Sequence, residues 1–281
     1  DGGAAPLEIQ RAAFAGRYAE ALEIDSLALD MAPYSASADG RLGLASPWNA
    51  DLDLEALWTV DDETTQALSA AVEGPLDALE IQLTGSGPLE ARARAAIDGL
   101  PSTESLSGSV SLSGSLADWP GVAGRLDGVE LEAQGSLADW QAELKGRVEW
   151  PEQPTVDVTL AAAGTNDRIT ISRGDLALLD GHVRVTGSAG LGDTLTADAR
   201  LALENLDFTT MYPDWPSQAR LSGGLEARWD GQVLRVADIE LRAPPSPMTL
   251  TGSGSLDSTT EALAVQLEWA SLVWPPGLGD A

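Results

Sequence analysis

From Ser105 to Leu116 the chain reads SLSGSVSLSGSL. Leu106, Val110, Leu112 and Leu116 share one phase of a two-residue period with Gly108 and Gly114; the serines take the other phase. A helix would scatter those serines around its circumference, whereas a strand places them on one face. The same alternation recurs. Val129, Leu131 and Ala133 alternate with Glu130 and Glu132. Ala142, Leu144, Val148 and Trp150 alternate with Glu143, Lys145, Arg147 and Glu149. Val156, Val158 and Leu160 alternate with Asp157 and Thr159, and Leu195, Ala197, Ala199, Leu201 and Leu203 with Thr196, Asp198 and Arg200. Leu221, Leu225, Ala227 and Trp229 follow, then Ile239 and Leu241, then Leu263, Val265, Leu267 and Trp269.

Strands apolar on one face only belong to antiparallel sheet, since buried parallel strands are apolar throughout. Asp39-Gly40, Asp127-Gly128, Asp180-Gly181 and Asp230-Gly231 are read as hairpin turns, because both residue types tolerate positive φ. Strands are expected from near Leu7 to near Trp269, with no long helical block. Arg11–Ile24 leaves helix and strand open. Pro88–Asp98 is read as a strand, although Glu90 and Arg94 have helical spacing. Thr64–Val72 is read as a helical turn or a loop. The whole of 1–281 is read as one β unit of irregular repeats with a soft boundary near 61–75.

Charge excludes several classes of partner. The net charge is −28, from 44 acidic and 16 basic residues, and Lys145 is the only lysine. Nucleic acid is excluded, as is docking on anionic lipid through a basic patch. Cysteine is absent, which removes disulfides, thiolate metal sites and cysteine nucleophiles. No run of ~18 apolar residues is present, so no segment is expected to span a membrane as a helix. The opening Asp1-Gly2-Gly3 reads as the start of a piece of something longer.

Gly114-Ser115-Leu116-Ala117-Asp118-Trp119 recurs as Gly135-Ser136-Leu137-Ala138-Asp139-Trp140. Trp-Pro occurs at Trp119-Pro120, Trp150-Pro151, Trp215-Pro216 and Trp274-Pro275, and is expected at strand ends because proline cannot donate to a ladder. These repeats suit a serially extended sheet better than a solenoid of fixed coils.

Each strand has an apolar face, and the sequence supplies almost no helix to cover it. The sheet must close on itself, stack into a packed β-helix, or curl into a groove covered by something else. Phe and Tyr number only 2 and 3, so a sandwich would lack its usual bulky filler. Asn is scarce, which disfavours a β-helix with polar ladders, and no Gly-Gly-x-Gly-x-Asp nonapeptide is present, which disfavours a calcium-loaded repeat roll. An elongated, curled, mostly antiparallel sheet with an aliphatic inner wall compatible with acyl chains fits best.

The stretch Leu203–Trp229 resembles the TamB branch of the AsmA-like lipid-transport superfamily. Leu206-Asp207, Tyr212-Pro213-Asp214-Trp215-Pro216 and Leu221-Ser222-Gly223 carry the resemblance. Gly43–Leu54, with Pro47-Trp48, and Gly146-Arg147-Val148-Glu149-Trp150-Pro151 resemble further copies of the same unit. The resemblance implies a "β-taco" fold, a long U-shaped sheet with a hydrophobic groove, and a periplasmic protein held in the inner membrane by an N-terminal helix. It implies phospholipid movement between the inner and outer membranes, with a TamA-like outer-membrane barrel protein as partner. This chain is read as a middle section lacking that anchor. On the resemblance it is not an enzyme, and no cofactor is implied.

The groove lining is assigned to Leu106, Val110, Leu112, Leu116, Val129, Leu131, Ala133, Leu144, Val148, Trp150, Val156, Val158, Leu160, Leu195, Leu201, Leu203, Leu225, Trp229, Val265 and Leu267. No catalytic, cofactor-binding or metal residues are assigned. His182 is the only histidine and is read as a surface residue beside a turn. The carboxylates fall on polar strand phases and are read as a solvated face rather than an acid–base pair. Asp61-Asp62-Glu63 lacks calcium-loop spacing. Gly85-Ser86-Gly87 lacks the Lys-Ser/Thr of a phosphate loop. Trp48, Trp119, Trp140, Trp150, Trp215 and Trp229 are read as rim residues or groove plugs rather than a sugar platform. Two alternatives remain. One is a structural or adhesive β-solenoid with a dry interior. The other is a carbohydrate-active sandwich with two close carboxylates in an aromatic cleft.

Overall fold

The computed structural model describes residues 9–45, 48–59, 64–100, 107–116, 124–136, 138–151, 153–192, 194–213, 215–216, 218–260 and 262–271. Leu106, Trp119-Pro120, Trp274-Pro275, Asp61-Asp62-Glu63 and the expected strand start near Leu7 lie outside these residues. The chain divides into two compact units, Asp1–Leu137 and Ala138–Ala281.

The first unit holds β1 (Arg11–Tyr18), β2 (Ala21–Met31), β3 (Tyr34–Gly43), β4 (Asn49–Thr59), β5 (Thr65–Pro75), β6 (Ala78–Ser86), β7 (Leu89–Asp98), β8 (Ser107–Leu116) and β9 (Arg125–Ser136). The second holds β10 (Asp139–Glu149), β11 (Val156–Gly164), β12 (Arg168–Leu178), β13 (Gly181–Gly190), β14 (Thr196–Leu206), β15 (Leu221–Trp229), β16 (Val233–Arg242), β17 (Thr249–Asp257) and β18 (Ala262–Ala270). In each unit every strand pairs antiparallel with its neighbours in the chain. Among the described residues the only helical element is the 3-10 turn Phe208–Thr210.

The protein is therefore all-β, and each unit is an antiparallel sheet that curls without closing into a barrel. The curl has local causes. Registers shift at Ala15/Gly16, Ile24/Leu27 and Gly114/Leu116 in the first unit. In the second they shift at Ala161/Ala162, Ile171/Gly174, Leu203/Leu206, Gly224/Glu226 and Val236/Ile239. Each bulge bends its strand and increases the local twist. Asn205 and Asp238, with φ of 57° and 51°, sit at two of these shifts.

Several local expectations are corrected. Thr65–Pro75 is strand β5, neither a helical turn nor a loop. Alanines in both phases hide its alternation, which pairing on both sides nevertheless enforces. Arg11–Ile24 is two strands, β1 and the start of β2. Of the four Asp-Gly pairs, Asp230-Gly231 forms a hairpin turn with Gly231 at φ 95°. At Asp180-Gly181 the positive φ values belong to Leu179 and Asp180, 51° and 55°, one position earlier. Asp39-Gly40 and Asp127-Gly128 lie inside β3 and β9. Gly40 is needed there because a Cβ would strike the backbone oxygen of Asp51. Gly128, at φ 55°, sits beside the Gly114/Leu116 register shift.

Gly85-Ser86-Gly87 forms the end of β6 and the turn into β7, and its anchor is Gln66. This side chain is fully buried. The Leu89 N–H donates to Gln66 Oε1 at 2.7 Å, and Gln66 Nε2 donates to the Leu89 carbonyl at 2.9 Å. A side-chain amide thus replaces a missing stretch of backbone ladder. An unmade bond to a buried backbone group costs about 1–3 kcal/mol. Gln66→Ala is expected to destabilise the first unit by that amount, read as a lower denaturation midpoint. Gln66→Glu should not rescue it, because a carboxylate cannot donate to Leu89.

Candidate functional site

The apolar phases of neighbouring strands are in register, so they form lanes across each unit. In the first unit one lane runs Phe14, Leu27, Ala38, Leu54, Ala70, Leu83, Ala93, Leu112, Leu131, each step a directly paired position. Beside it run Gly16, Ile24, Gly40, Leu52, Val72, Ile81, Ala95, Val110, Ala133 and, on the other flank, Ala12, Leu29, Ala36, Ala56, Leu68, Gly85, Ala91, Gly114, Val129. No polar side chain interrupts these three lanes.

The second unit repeats the arrangement. One lane is Gly146, Val158, Leu176, Val183, Leu203, Gly223, Leu241, Leu250, Trp269. Another is Ala142, Ala162, Ile171, Gly187, Ala199, Ala227, Val236, Gly254, Val265. Leu144, Leu160, Gly174, Val185, Leu201 and Leu225 lie between these two, and Leu267 lies opposite Gly252. Trp229 continues a further lane between Ala197 and Leu234, and Val148 faces Val156.

Nearly all the described residues assigned to the groove from the sequence thus occupy the same apolar face as their neighbours. Leu116 faces Leu89 and Leu126 at the end of β8. Leu195 and Trp150 lie just outside β14 and β10. The lanes of β1–β7 escaped assignment. Their signal is diluted by alanine, as in Ala36, Ala38, Ala56, Ala70 and Ala93, and it emerges only when registers are known.

The decisive property of this face is that protein does not seal it. Among the described residues the buried hydrophobics are Ala21, Ala50, Leu79, Ala91, Leu206, Ala219, Ala243 and Met248. None of the assigned lining residues is among them. Val110, Trp150, Leu195, Val265 and Leu267 are 38%, 49%, 53%, 55% and 39% exposed. Exposed apolar side chains that adjoin one another in this way mark an interaction surface. Over β2–β6 the face is concave and encloses about 390 Å³, lined by Leu27, Leu29, Ala38, Leu54, Leu68 and Leu83 among others.

The only packed cluster of buried apolar side chains among the described residues sits at one rim of the second unit. Ala219, Ala243 and Met248 pack with Trp215 and Leu221. The segment between β16 and β17 supplies Ala243 and Met248, and the segment between β14 and β15 supplies Trp215 and Ala219. Asp207 caps its 3-10 turn by accepting from the Thr209 N–H at 2.9 Å and hydroxyl at 2.7 Å, and it pairs with Arg220 at 2.8 Å. The Thr209 bonds hold the Asp207 carboxyl below its ordinary pKa, with Arg220 adding to the effect. Phe208 packs on Trp215 with ring centroids 5.4 Å apart, and Trp215 Nε1 donates to the Ala219 carbonyl at 3.0 Å. Trp215 is therefore part of a small core, whereas Trp48 and Trp150 are exposed at strand ends.

The opposite face carries the charge. Arg147 makes two bonds to Asp157 at 2.7 and 3.2 Å, and Arg184 meets Glu204 at 2.7 Å. Arg147 holds the Asp157 carboxyl below its usual value, as Arg173 does for Asp175. These exposed pairs set solubility and register more than stability. His182 is exposed on β13. Among the described residues no three His, Asp or Glu side chains converge on a metal position.

The chain matches, over residues 2–275, the family model described as TamB, N-terminal domain. It belongs to the TamB family. The expected middle section is thus the portion that this description calls N-terminal. No solved structure matches the chain. No helix among the described residues of this TamB-family chain is long and apolar enough to cross a membrane.

An unsealed face predicts an unusual mutational contrast. Leu54→Asp, on an open lane, should cost only about 1–2 kcal/mol in the absence of lipid. Met248→Asp, in the small rim core, should cost more than about 4 kcal/mol. Chemical denaturation of the two variants measures both, and equal large losses would mean that the lanes are packed.

Proposed function

We propose that this chain is a segment of a periplasmic, bridge-like TamB-family protein that conducts phospholipid acyl chains along its apolar face between the inner and outer membranes. The observation that carries the reading is the set of uninterrupted, in-register apolar lanes left uncovered by the protein's own side chains.

Each methylene taken from water gains about 0.8 kcal/mol, which is why a free lipid tail does not cross an aqueous space at a useful rate. A wall of Leu, Val, Ala and Gly offers that gain at every point and a polar anchor at none, so tails slide instead of being trapped. Headgroups stay in water at the open side of the sheet. The concavity over β2–β6, at about 390 Å³, is comparable in volume with one acyl chain. No bond is made or broken, and the chain acts without catalysis. The acidic polar face keeps a protein with so much apolar surface dispersed. Family membership supports a TamA-like outer-membrane barrel as partner of the full-length protein and a periplasmic location. A solenoid with a dry interior would need its apolar side chains packed against each other, and the exposure of Leu54 and Val110, on strands paired at both edges, argues against it.

Photo-crosslinking residues at Leu54, Leu112 and Leu203 should capture phospholipid, identified by mass spectrometry, while the same residues at Ser111 and Arg200 should not. Capture at the polar positions with none in the lanes would overturn the proposal.

A further inference from the structure

The polar face of the first unit carries a second concavity, of about 480 Å³, over β6–β9. Its outer strand β6 contributes Gln82 and Thr84, and in its inner part a basic row, Arg92 and Arg94 on β7, and an acidic row, Glu130 and Glu132 on β9, form two walls. The floor between them is β8, whose polar phase here is Ser111 and Ser113.

Arg17, Arg125, Arg147, Arg173, Arg184, Arg200, Arg220 and Arg235 make ion pairs with described acids. Arg92 and Arg94, like Arg11, Arg41, Arg168, Arg228 and Arg242, make none with any described residue. Their cross-strand neighbours are neutral on both sides: Thr84 and Ser113 for Arg92, Gln82 and Ser111 for Arg94. The nearest acids across the sheet are one strand further, where Ser113 faces Glu130 and Ser111 faces Glu132. The trough therefore has a basic wall, a hydroxyl floor and an acidic wall, in two adjacent rows. Glu90 on β7 and Gln134 on β9 end the two walls.

The geometry points to a docking site for an extended polypeptide segment of alternating acidic and basic residues, lying along β8. Charge complementarity and repeat length select this occupant. Successive same-side residues of an extended chain are about 6.8 Å apart, the spacing of Arg92 to Arg94 and of Glu130 to Glu132, and the walls stand two strand spacings, about 9.6 Å, apart. A strand set edge-on over β8 directs one set of side chains to the basic wall and the alternate set to the acidic wall. Its downward backbone N–H and C=O groups then meet the serine hydroxyls, which both donate and accept. Serine is short enough to permit that approach. This site lies on the polar face and is independent of acyl-chain conduction.

The test uses an acetylated peptide in which glutamate and lysine strictly alternate over about eight residues, about 27 Å when extended, which covers the two rows and overhangs them at both ends. It is added at low ionic strength, with amide chemical shifts of Ser111 and Ser113 as the readout. Saturable shifts are expected, weakened by added salt. A block peptide of identical composition, with all its glutamates preceding all its lysines, should bind at least about tenfold more weakly. Arg92→Glu with Arg94→Glu makes both walls acidic and should weaken the alternating peptide by a similar factor. Adding Glu130→Arg and Glu132→Arg to that variant restores two opposed walls and should restore binding, because the peptide can turn over. All four side chains are exposed, so circular dichroism should stay native in each variant. Equal binding of the two peptides, indifference to reversal of one wall, or failure of the fourfold variant to recover would overturn the proposal. Shifts caused by phosphoethanolamine but not by the peptide would also overturn it, making the trough a site for a small zwitterion.

Discussion

A sheet satisfies its backbone hydrogen bonds strand by strand, but that pairing does nothing for the side chains above and below it. In this protein the two requirements are met by different partners. Backbone groups pair with neighbouring strands in an uninterrupted antiparallel order within each unit. The polar side chains face water. The apolar side chains face neither a helix nor a second sheet, and only alanines, two leucines and one methionine reach full burial among the described residues. Folding therefore stops one layer short of the usual architecture. Local ladder bonds, bulges and lateral contacts between lane neighbours carry stability that would ordinarily come from a sealed core.

That division explains why the sheet curls. Lateral contact between Leu and Ala on adjacent strands buries some apolar area, and bending toward the apolar side buries more. The hollow on the apolar side over β2–β6 lies where β3–β6 pair without a register shift. Over β6–β9 the polar side also carries a hollow.

Period-two alternation made the fold class and the composition of the apolar face legible from residues alone. Strands such as β8, β9 and β11, with a clean separation of Leu or Val from Ser or Glu, were readable directly. β5 was not, because alanine suits either phase and the strand is defined by its neighbours. Asp-Gly was a reliable turn signal only where the flanking strands end. At Asp39-Gly40 and Asp127-Gly128 the same dipeptide serves close backbone approach or a bulge within a strand. The described parts of both copies of the six-residue repeat fall at strand ends. Gly114-Ser115-Leu116 closes β8 and Gly135-Ser136 closes β9, so the copies sit at opposite ends of an antiparallel pair. Gln66 and the unpaired Arg92 and Arg94 had no sequence signature, since their roles depend on what lies across the ladder.

Because the chain has no cysteine, single cysteines report accessibility without background. The most direct measurement is the maleimide reaction rate of single-cysteine variants at Leu54, Leu112, Leu201 and Leu203, compared with Ser111, in delipidated protein and again with phospholipid added. The account predicts rates at the lane positions close to the rate at Ser111 without lipid, and selective slowing at the lane positions with lipid. Lane cysteines that are already protected in delipidated protein would show that the apolar face is closed by the protein itself.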